Sequence, residues 1–545
     1  MVNNKLQMKF SSQNKVTLLV FFIFFSVYLF TSDGHRFTFD EDASAQQASW
    51  LATLTPHPDF VLGESRTYFN YPELFPQDGY TYNTFYLCEN AFLCSSSSLG
   101  QSITQIPFIW LNHTFEFFND DDIWSSEDFN DLHYVWWRNS INPDFTFMEL
   151  FYGPLFSALS VVTFYLLSRQ FQISLQNSII VTFLFGLSTI VWAYSQTSLN
   201  VVPQLLFVLL SVLFLKKFQS SQSPKNLILA SSSIGFAFLI RLDAILIIPI
   251  LSFFILLLIR KSKSKINYIL YFLPVFSFIL LFDYIEFYRK GSFLIIRAIE
   301  KALVQFQFLV INVESTVIST GVTAPVSLYT PLEAFFGLLF SPGLGLFIFS
   351  PILFLSFFAF PNFYKNYKKE FFLFIGIIAA FLFYFSFINT NSWHGLVGWS
   401  ARYVILIIPF LLLPLGLTLD KTKNKPIMFV ILILGSLGVL FNLVWLIQDV
   451  SWYVWAGMGE SSRGLYSLPA PGWSGRINPM VLWTFEFSQL TNSIFLAFTH
   501  LQFDIFLLKI LTPIGYVLSF IMLVGSFLIS LFKLLKKEKL LMKLD

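Results

Sequence analysis

Charge is what this sequence lacks. Only 12% of its 545 residues are Asp, Glu, Lys or Arg, against roughly 25% in a soluble domain. With 55% hydrophobic residues and a mean hydropathy of +0.65, the main solvent of this chain is lipid. The net charge of +2 gives no basic surface of the kind a nucleic-acid partner needs. Cysteine is nearly absent. Cys88 and Cys94 share the run CENAFLC, so they are either two small unpaired residues or one local disulfide in an oxidising compartment. A small-x-small cleavage pattern is also missing after the apolar run from Val16 to Phe30. The N-terminus with Lys5, Lys9 and Lys15 therefore reads as an uncleaved first span, not a signal peptide. No internal repeat or low-complexity tract is evident.

What the chain does have is long apolar runs, with 70 Phe among its residues. A helix needs about twenty apolar residues to cross the hydrocarbon core. Runs of that kind fall near 16–31, 150–168, 178–194, 199–215, 226–240, 242–259, 267–285, 335–360, 371–388, 403–419, 427–447 and 511–533. Only helices satisfy their own backbone groups in lipid, so the expected fold is an all-α integral membrane protein of about twelve spans.

Lysine and arginine then set the orientation. With the N-terminus inside, the loops 169–177, 216–225, 260–265, 361–370 and 420–425 and the tail after Phe532 are inside. They carry most of the basic residues, among them Lys216, Lys225, Arg260, Lys368, Lys423 and Lys536. The expected organisation is a cytoplasmic N-terminus and first span over 1–31, and a large extracytoplasmic loop over 32–149. A bundle over 150–447 follows, with a second outer loop at 286–332. A third outer loop occupies 448–510, and 511–545 holds the last span and a basic cytoplasmic tail. Within the third loop, Val481 to His500 reads as an interfacial helix. The membrane is either a prokaryotic plasma membrane or the endoplasmic reticulum.

The central thirds of the spans carry almost no charge. An ion-coupled transporter usually places ionisable groups near the midplane; here the notable charges lie at span ends. Asp40-Glu41-Asp42 follows the first span, and Arg241 with Asp243 lies between two others. The run Ser392-Trp-His394-Gly-Leu-Val-Gly-Trp-Ser-Ala-Arg402-Tyr403 precedes another span. Arg402 offers a planar fork suited to phosphate, and His394 a further donor. The plainer readings are an acidic loop start and an aromatic belt whose Arg snorkels to the headgroups. The stretch GLLFSPGLGLFIFSP, from Gly337 to Pro351, should break its helix. Asn112-His113-Thr114 is an N-glycosylation sequon in the first outer loop.

Taken in this order, the acidic pair Asp40-Glu41 after the first span, the large first outer loop, GLLFSPGLGLFIFSP and WHGLVGWSARY resemble the GT-C glycosyltransferases. These multi-span enzymes take sugars from polyprenyl phosphates and include the protein O-mannosyltransferases and the aminoarabinose lipid A transferases. Leu344 stands where an Arg is common in that pattern, and Ala401 where Pro is common. The resemblance implies a polyprenyl-phosphate sugar donor, a protein, glycan or lipid acceptor, and inversion at the anomeric centre. A divalent metal serves one branch, the oligosaccharyltransferases, but no ligand set for one stands out in this sequence.

The chemistry agrees. A glycosyl phosphate has a good leaving group, so one carboxylate base on the acceptor suffices where a glycosidase needs two carboxyl groups. A cation stabilises the departing phosphate. The expected roles are Asp40 as base, Glu41 as orienting or alternative base, and Arg402, Arg241 and His394 on the phosphate side. A transporter or lipid flippase, or a non-catalytic scaffold on the same fold, is the competing expectation.

Overall fold

The computed structural model describes residues 2–35, 41, 44–45, 47–48, 51–52, 64–67, 85–87, 92–95, 98–115, 147–260, 266–290, 330–390, 393–395, 399–421, 425–447, 482–486, 488–499 and 503–541. Among them, nine helical stretches are long and apolar enough to cross a membrane: Gln13–Phe30, Phe147–Gln170, Val201–Ser221, Leu242–Ile259, Ile269–Phe287, Lys368–Ile388, Arg402–Lys421, Pro426–Leu446 and Pro513–Lys536. Three shorter apolar helices, Leu175–Leu187, Pro224–Ile240 and Pro331–Phe340, overlap the remaining runs of the sequence. The chain is an integral, multi-pass membrane protein.

In chain order the helices are α1 Val2–Phe30, α2 Leu99–Phe115, α3 Phe147–Gln170, α4 Leu175–Leu187, α5 Val201–Ser221, α6 Pro224–Ile240, α7 Ile247–Ile259, α8 Ile266–Lys290, α9 Pro331–Phe340, α10 Leu346–Phe349, α11 Ser356–Asn366, α12 Lys368–Phe383, α13 Ile408–Lys421, α14 Lys425–Leu446, α15 Gln489–Thr499, α16 Phe506–Ile510 and α17 Pro513–Leu541. Their ends follow local chemistry. Ser174 caps α4 by accepting from the Asn177 amide at 3.3 Å, and Thr330 caps α9 from the Glu333 amide at 3.1 Å, with Pro331 next in line. Gln222 ends α5 in the left-handed conformation, and Pro224 opens α6.

The Pro- and Gly-rich stretch breaks its helix as expected. The helix α9 stops at Phe340, Ser341–Gly345 turns, α10 lasts four residues, and a 3-10 turn over Pro351–Leu355 leads into α11. The helix α4 stops at Leu187, short of the 178–194 run. Beyond it the chain is claimed by tertiary contacts: the Ile190 amide donates to Ser350 Oγ at 3.1 Å.

Lipid offers little hydrophobic drive between helices, so packing and hydrogen bonds hold the bundle. Inside it, α1 lies against α3 and α17, α5 against α3 and α6, and α6 against α8. Phe164 stacks on Phe185 at 4.5 Å, and Tyr28 Oη donates to the Gly186 carbonyl at 2.8 Å. Large apolar side chains such as Phe358, 79% exposed, and Ile514, 74% exposed, face outward, where acyl chains solvate them.

The segments read as inside loops bond to one another at one end of the bundle. Asp420 accepts from the Ser174 amide at 2.8 Å and from Asn177 Nδ2 at 2.6 Å. Lys216 pairs with Glu370, Tyr367 Oη donates to the Phe171 carbonyl, and Lys421 Nζ reaches Asn362. At the other end, Gln196 Nε2 donates to the carbonyls of Thr31 and Leu446, which joins the ends of α1 and α14.

Two expectations change. The chain is all-α only in its membrane-spanning part. A three-stranded antiparallel sheet, β1 Glu64–Thr67, β2 Phe85–Leu87 and β3 Phe92–Ser95, stands in the order β1-β3-β2, with Tyr86 opposite Cys94. It lies in the first long loop, where water or protein can serve strand edges that lipid cannot. The interfacial helix is also shorter than Val481 to His500: α15 begins at Gln489, because Ser488 Oγ accepts from the Thr491 amide at 3.2 Å and caps it.

Candidate functional site

At the loop-bearing end, α2 docks on the first loop segment and on the helix ends beneath it. Its contact face is polar. Gln101 Nε2 donates to Ser44 Oγ and to the Ser198 carbonyl, both at 2.9 Å, Ser102 Oγ donates to Gln47, and Ser98 Oγ bonds to the Ile240 carbonyl. This brace fixes the segment after α1. Glu41 is fully buried, and its Oε1 accepts from the Ser198 amide at 2.9 Å. That bond ties the segment after α1 to the chain ahead of α5. Asp40 lies outside the described residues.

Beside it, the two motif stretches are joined through one carbonyl. Leu344 O accepts from Ser400 Oγ and from the Ala401 amide, both at 2.9 Å. Trp399 stands edge-on to Phe349 at 4.6 Å and stacks on Trp445 at 4.7 Å. This clamp presents Arg402 at the start of the 3-10 turn Arg402–Ile407, buried to 8% exposure. Arg241, at the extended break between α6 and the turn Leu242–Leu246, approaches the same place. The Arg402 guanidinium lies 5.2 Å and that of Arg241 4.5 Å from the centre of the Tyr403 ring. The structure thus brings together two cations that are 161 positions apart in sequence. They are not equivalent. Arg241 Nε is paired with Asp243 at 3.0 Å, and Gln204 holds the other Asp243 oxygen at 2.5 Å.

Tyr194 connects the parts. It is buried, its hydroxyl has no hydrogen-bond partner among the described residues, and it feels Arg402, Arg241 and Glu41. His394 is buried at 3% exposure in the turn before Gly395. Gly395 has φ +72°, and a Cβ there would come within 3.0 Å of Arg402 Cγ. Gly395→Ala is therefore expected to shift Arg402 by a few tenths of an ångström and to strain the backbone by about 1–2 kcal/mol. Protein levels in membranes should stay near wild type, with thermal unfolding in detergent lowered by a few degrees; an unchanged melting temperature would show that the turn yields without strain.

A second group sits next to this one. Asp33, His35 and Asp504 are all buried, and their ligand atoms lie within 4.8 Å of one another. Gly34, at φ 82°, turns the chain between the first two. His35 Nε2 and Asp504 Oδ2 are 2.6 Å apart, and Lys509 Nζ donates to Asp504 Oδ1 at 3.0 Å. Burial would raise the pKa of Asp504, but the bond and charge of His35 and the charge of Lys509 outweigh it and leave that pKa lowered. Burial pushes Asp33 well above the usual carboxylate range, against the pull of His35. Among the described residues, neither Asp33 oxygen has a hydrogen-bond partner of good geometry. These three residues could coordinate a divalent metal.

The sequence reading passed over this set. The Asp-x-His spacing just after a span was its only local signal, and Asp504 is 469 positions from His35. Of the other sequence candidates, Asn112 is buried at 3% exposure in α2, so attaching a glycan there requires α2 to undock. Cys94 lies in β3, and Cys88 lies outside the described residues. No protein-family model matches this chain, and no curated protein matches it.

Proposed function

We propose that this protein is a membrane glycosyltransferase. It moves a sugar from a polyprenyl phosphate donor to an acceptor hydroxyl on the extracytoplasmic side, with inversion. The observation that supports this most is the convergence of Arg402 and Arg241 on Tyr403, with the buried Tyr194 between them and Glu41. A cationic pair facing an acidic loop start is what in-line displacement from a glycosyl phosphate needs. The base side takes the proton of the acceptor hydroxyl as its oxygen attacks the anomeric carbon, and the departing phosphate carries its negative charge onto the cations.

In this reading Asp40 is the base. Glu41 anchors it through Ser198, Arg402 holds the phosphate, and Arg241, already shared with Asp243, adds field. His394 precedes Gly395, whose backbone lies against Arg402, and serves as a further donor. The site at the headgroup level suits a lipid-linked donor, whose prenyl chain can lie along the bundle while its phosphate reaches the arginines. The exposed Phe surfaces of the spans fit such a chain.

The experiment is transfer of radiolabelled sugar from purified polyprenyl phosphate donors to a membrane or protein fraction, in membranes with and without this chain. Label should move to acceptor only when the chain is present. If no donor is consumed in its presence, the transferase reading fails and a transporter or scaffold role stands instead.

A further inference from the structure

We infer that Asp33, His35 and Asp504 form a binding site for a divalent first-row transition metal, of the zinc class, that staples the last loop to the end of the first span. The inference is independent of the transferase reading and stands on three features of the group.

First, the ligand chemistry is a mixed set of one imidazole and two carboxylates, with donor atoms within 4.8 Å of one another. An imidazole in the set favours zinc and its late first-row neighbours over magnesium, calcium or manganese, and intrinsic affinity also places zinc above manganese. Second, Asp33 is 1% exposed, and among the described residues neither of its oxygens has a hydrogen-bond partner of good geometry. A buried carboxyl group without donors is costly to keep in a protein, and a cation placed between it, His35 and Asp504 removes that cost. Third, the outer shell is built. Lys509 holds the second oxygen of Asp504 at 3.0 Å, which orients that carboxylate as outer partners of metal ligands do. On metal entry the hydrogen bond between His35 Nε2 and Asp504 Oδ2 opens; the Nε2 proton leaves to solvent from an imidazolium or moves to Nδ1 in a neutral ring, a proton held by Asp33 is released to solvent, and each of the three side chains turns a lone pair to the cation.

The place of the cluster says what the ion does. The Phe506 amide donates to the Ser32 carbonyl at 2.9 Å, and the Asp504 amide to the Ile447 carbonyl at 3.2 Å. Gln196 Nε2 donates to the carbonyls of Thr31 and Leu446 at 2.6 and 3.0 Å. The ends of α1 and α14 and the start of α16 therefore meet around these three side chains. A metal there ties the segment ahead of the last span to the segment that leads from Asp33 to Glu41.

The test uses the full chain, purified in detergent on a tag without histidine, stripped with chelator and dialysed against Zn2+ or Mn2+. Metal content by mass spectrometry and thermal unfolding are read together, with no sugar donor present. The expected result is about one equivalent of Zn2+ per chain, bound at least ~10-fold more tightly than Mn2+. The melting temperature should fall on stripping and return with Zn2+. Asp33→Asn and Asp504→Asn should each lose the equivalent and the thermal response. Stripped wild type that takes up no Zn2+ would overturn the site, leaving a His35–Asp504 hydrogen-bonded pair. So would an Asp33→Asn variant that keeps its equivalent. Because the wild-type binding and melting data decide the matter alone, a variant that failed to fold would not protect the proposal.

Discussion

Asp40→Asn is expected to reduce sugar transfer by roughly 10²–10⁴-fold, the usual worth of a general base, while the protein remains folded in the membrane. Asn matches Asp in shape but cannot accept the proton of the acceptor hydroxyl. Its neighbour makes the comparison sharp. Glu41 is fully buried and accepts from the Ser198 amide at 2.9 Å; a glutamine there can still accept that bond through its own carbonyl oxygen. Glu41→Gln should therefore keep the loop in place and cost much less than Asp40→Asn. The measurement is initial rate of label transfer from a polyprenyl phosphate sugar, normalised to protein in the membrane, with thermal unfolding in detergent as the fold control. A dead Glu41→Gln beside an active Asp40→Asn would move the base by one residue.

How far the sequence could be read depended on the range of each signal. Membrane helices are local and self-satisfied, so runs of apolar residues located them: 427–447 against α14 at Lys425–Leu446, and 199–215 against α5 at Val201–Ser221. The break after Phe340 was equally local, because proline and glycine set it. Elements that depend on partners were not legible. The helix α2 has a Gln- and Ser-rich buried face and an internal Pro107. Such a face reads as loop until Ser44, Gln47 and Ser198 are known to meet it. The three strands are too short to announce themselves. At the site, single residue types pointed to Arg241 and Arg402 one at a time. Their shared contact, Tyr403, appears only when the break after α6 and the turn before α13 are brought together in space. The pairing of Arg241 with Asp243 has the same origin, and it lowers the weight that Arg241 can carry on its own.

That difference between the two arginines fixes the second large effect. Arg402→Ala is expected to lower transfer roughly 10²–10³-fold, the cost of removing one pre-placed stabiliser of developing negative charge. Arg241→Ala should cost less. Part of the Arg241 charge is already spent on Asp243 at 3.0 Å, whereas the Leu344–Ala401 clamp aims Arg402 into the site. Arg402→Lys should fall between wild type and Arg402→Ala, since lysine keeps the charge and loses the bidentate fork. It should also raise the donor concentration needed for half-maximal rate, the result expected if the fork grips the donor phosphate as proposed. Truncation leaves the Tyr403 ring with Arg241 alone, so protein level and melting temperature must be measured beside the rate. Rate loss with an unchanged melting temperature assigns the effect to charge at the phosphate. An Arg402→Ala protein that transfers sugar at the wild-type rate and half-saturates at the wild-type donor concentration would remove Arg402 from the donor site, and with it the principal support for a lipid-phosphate substrate.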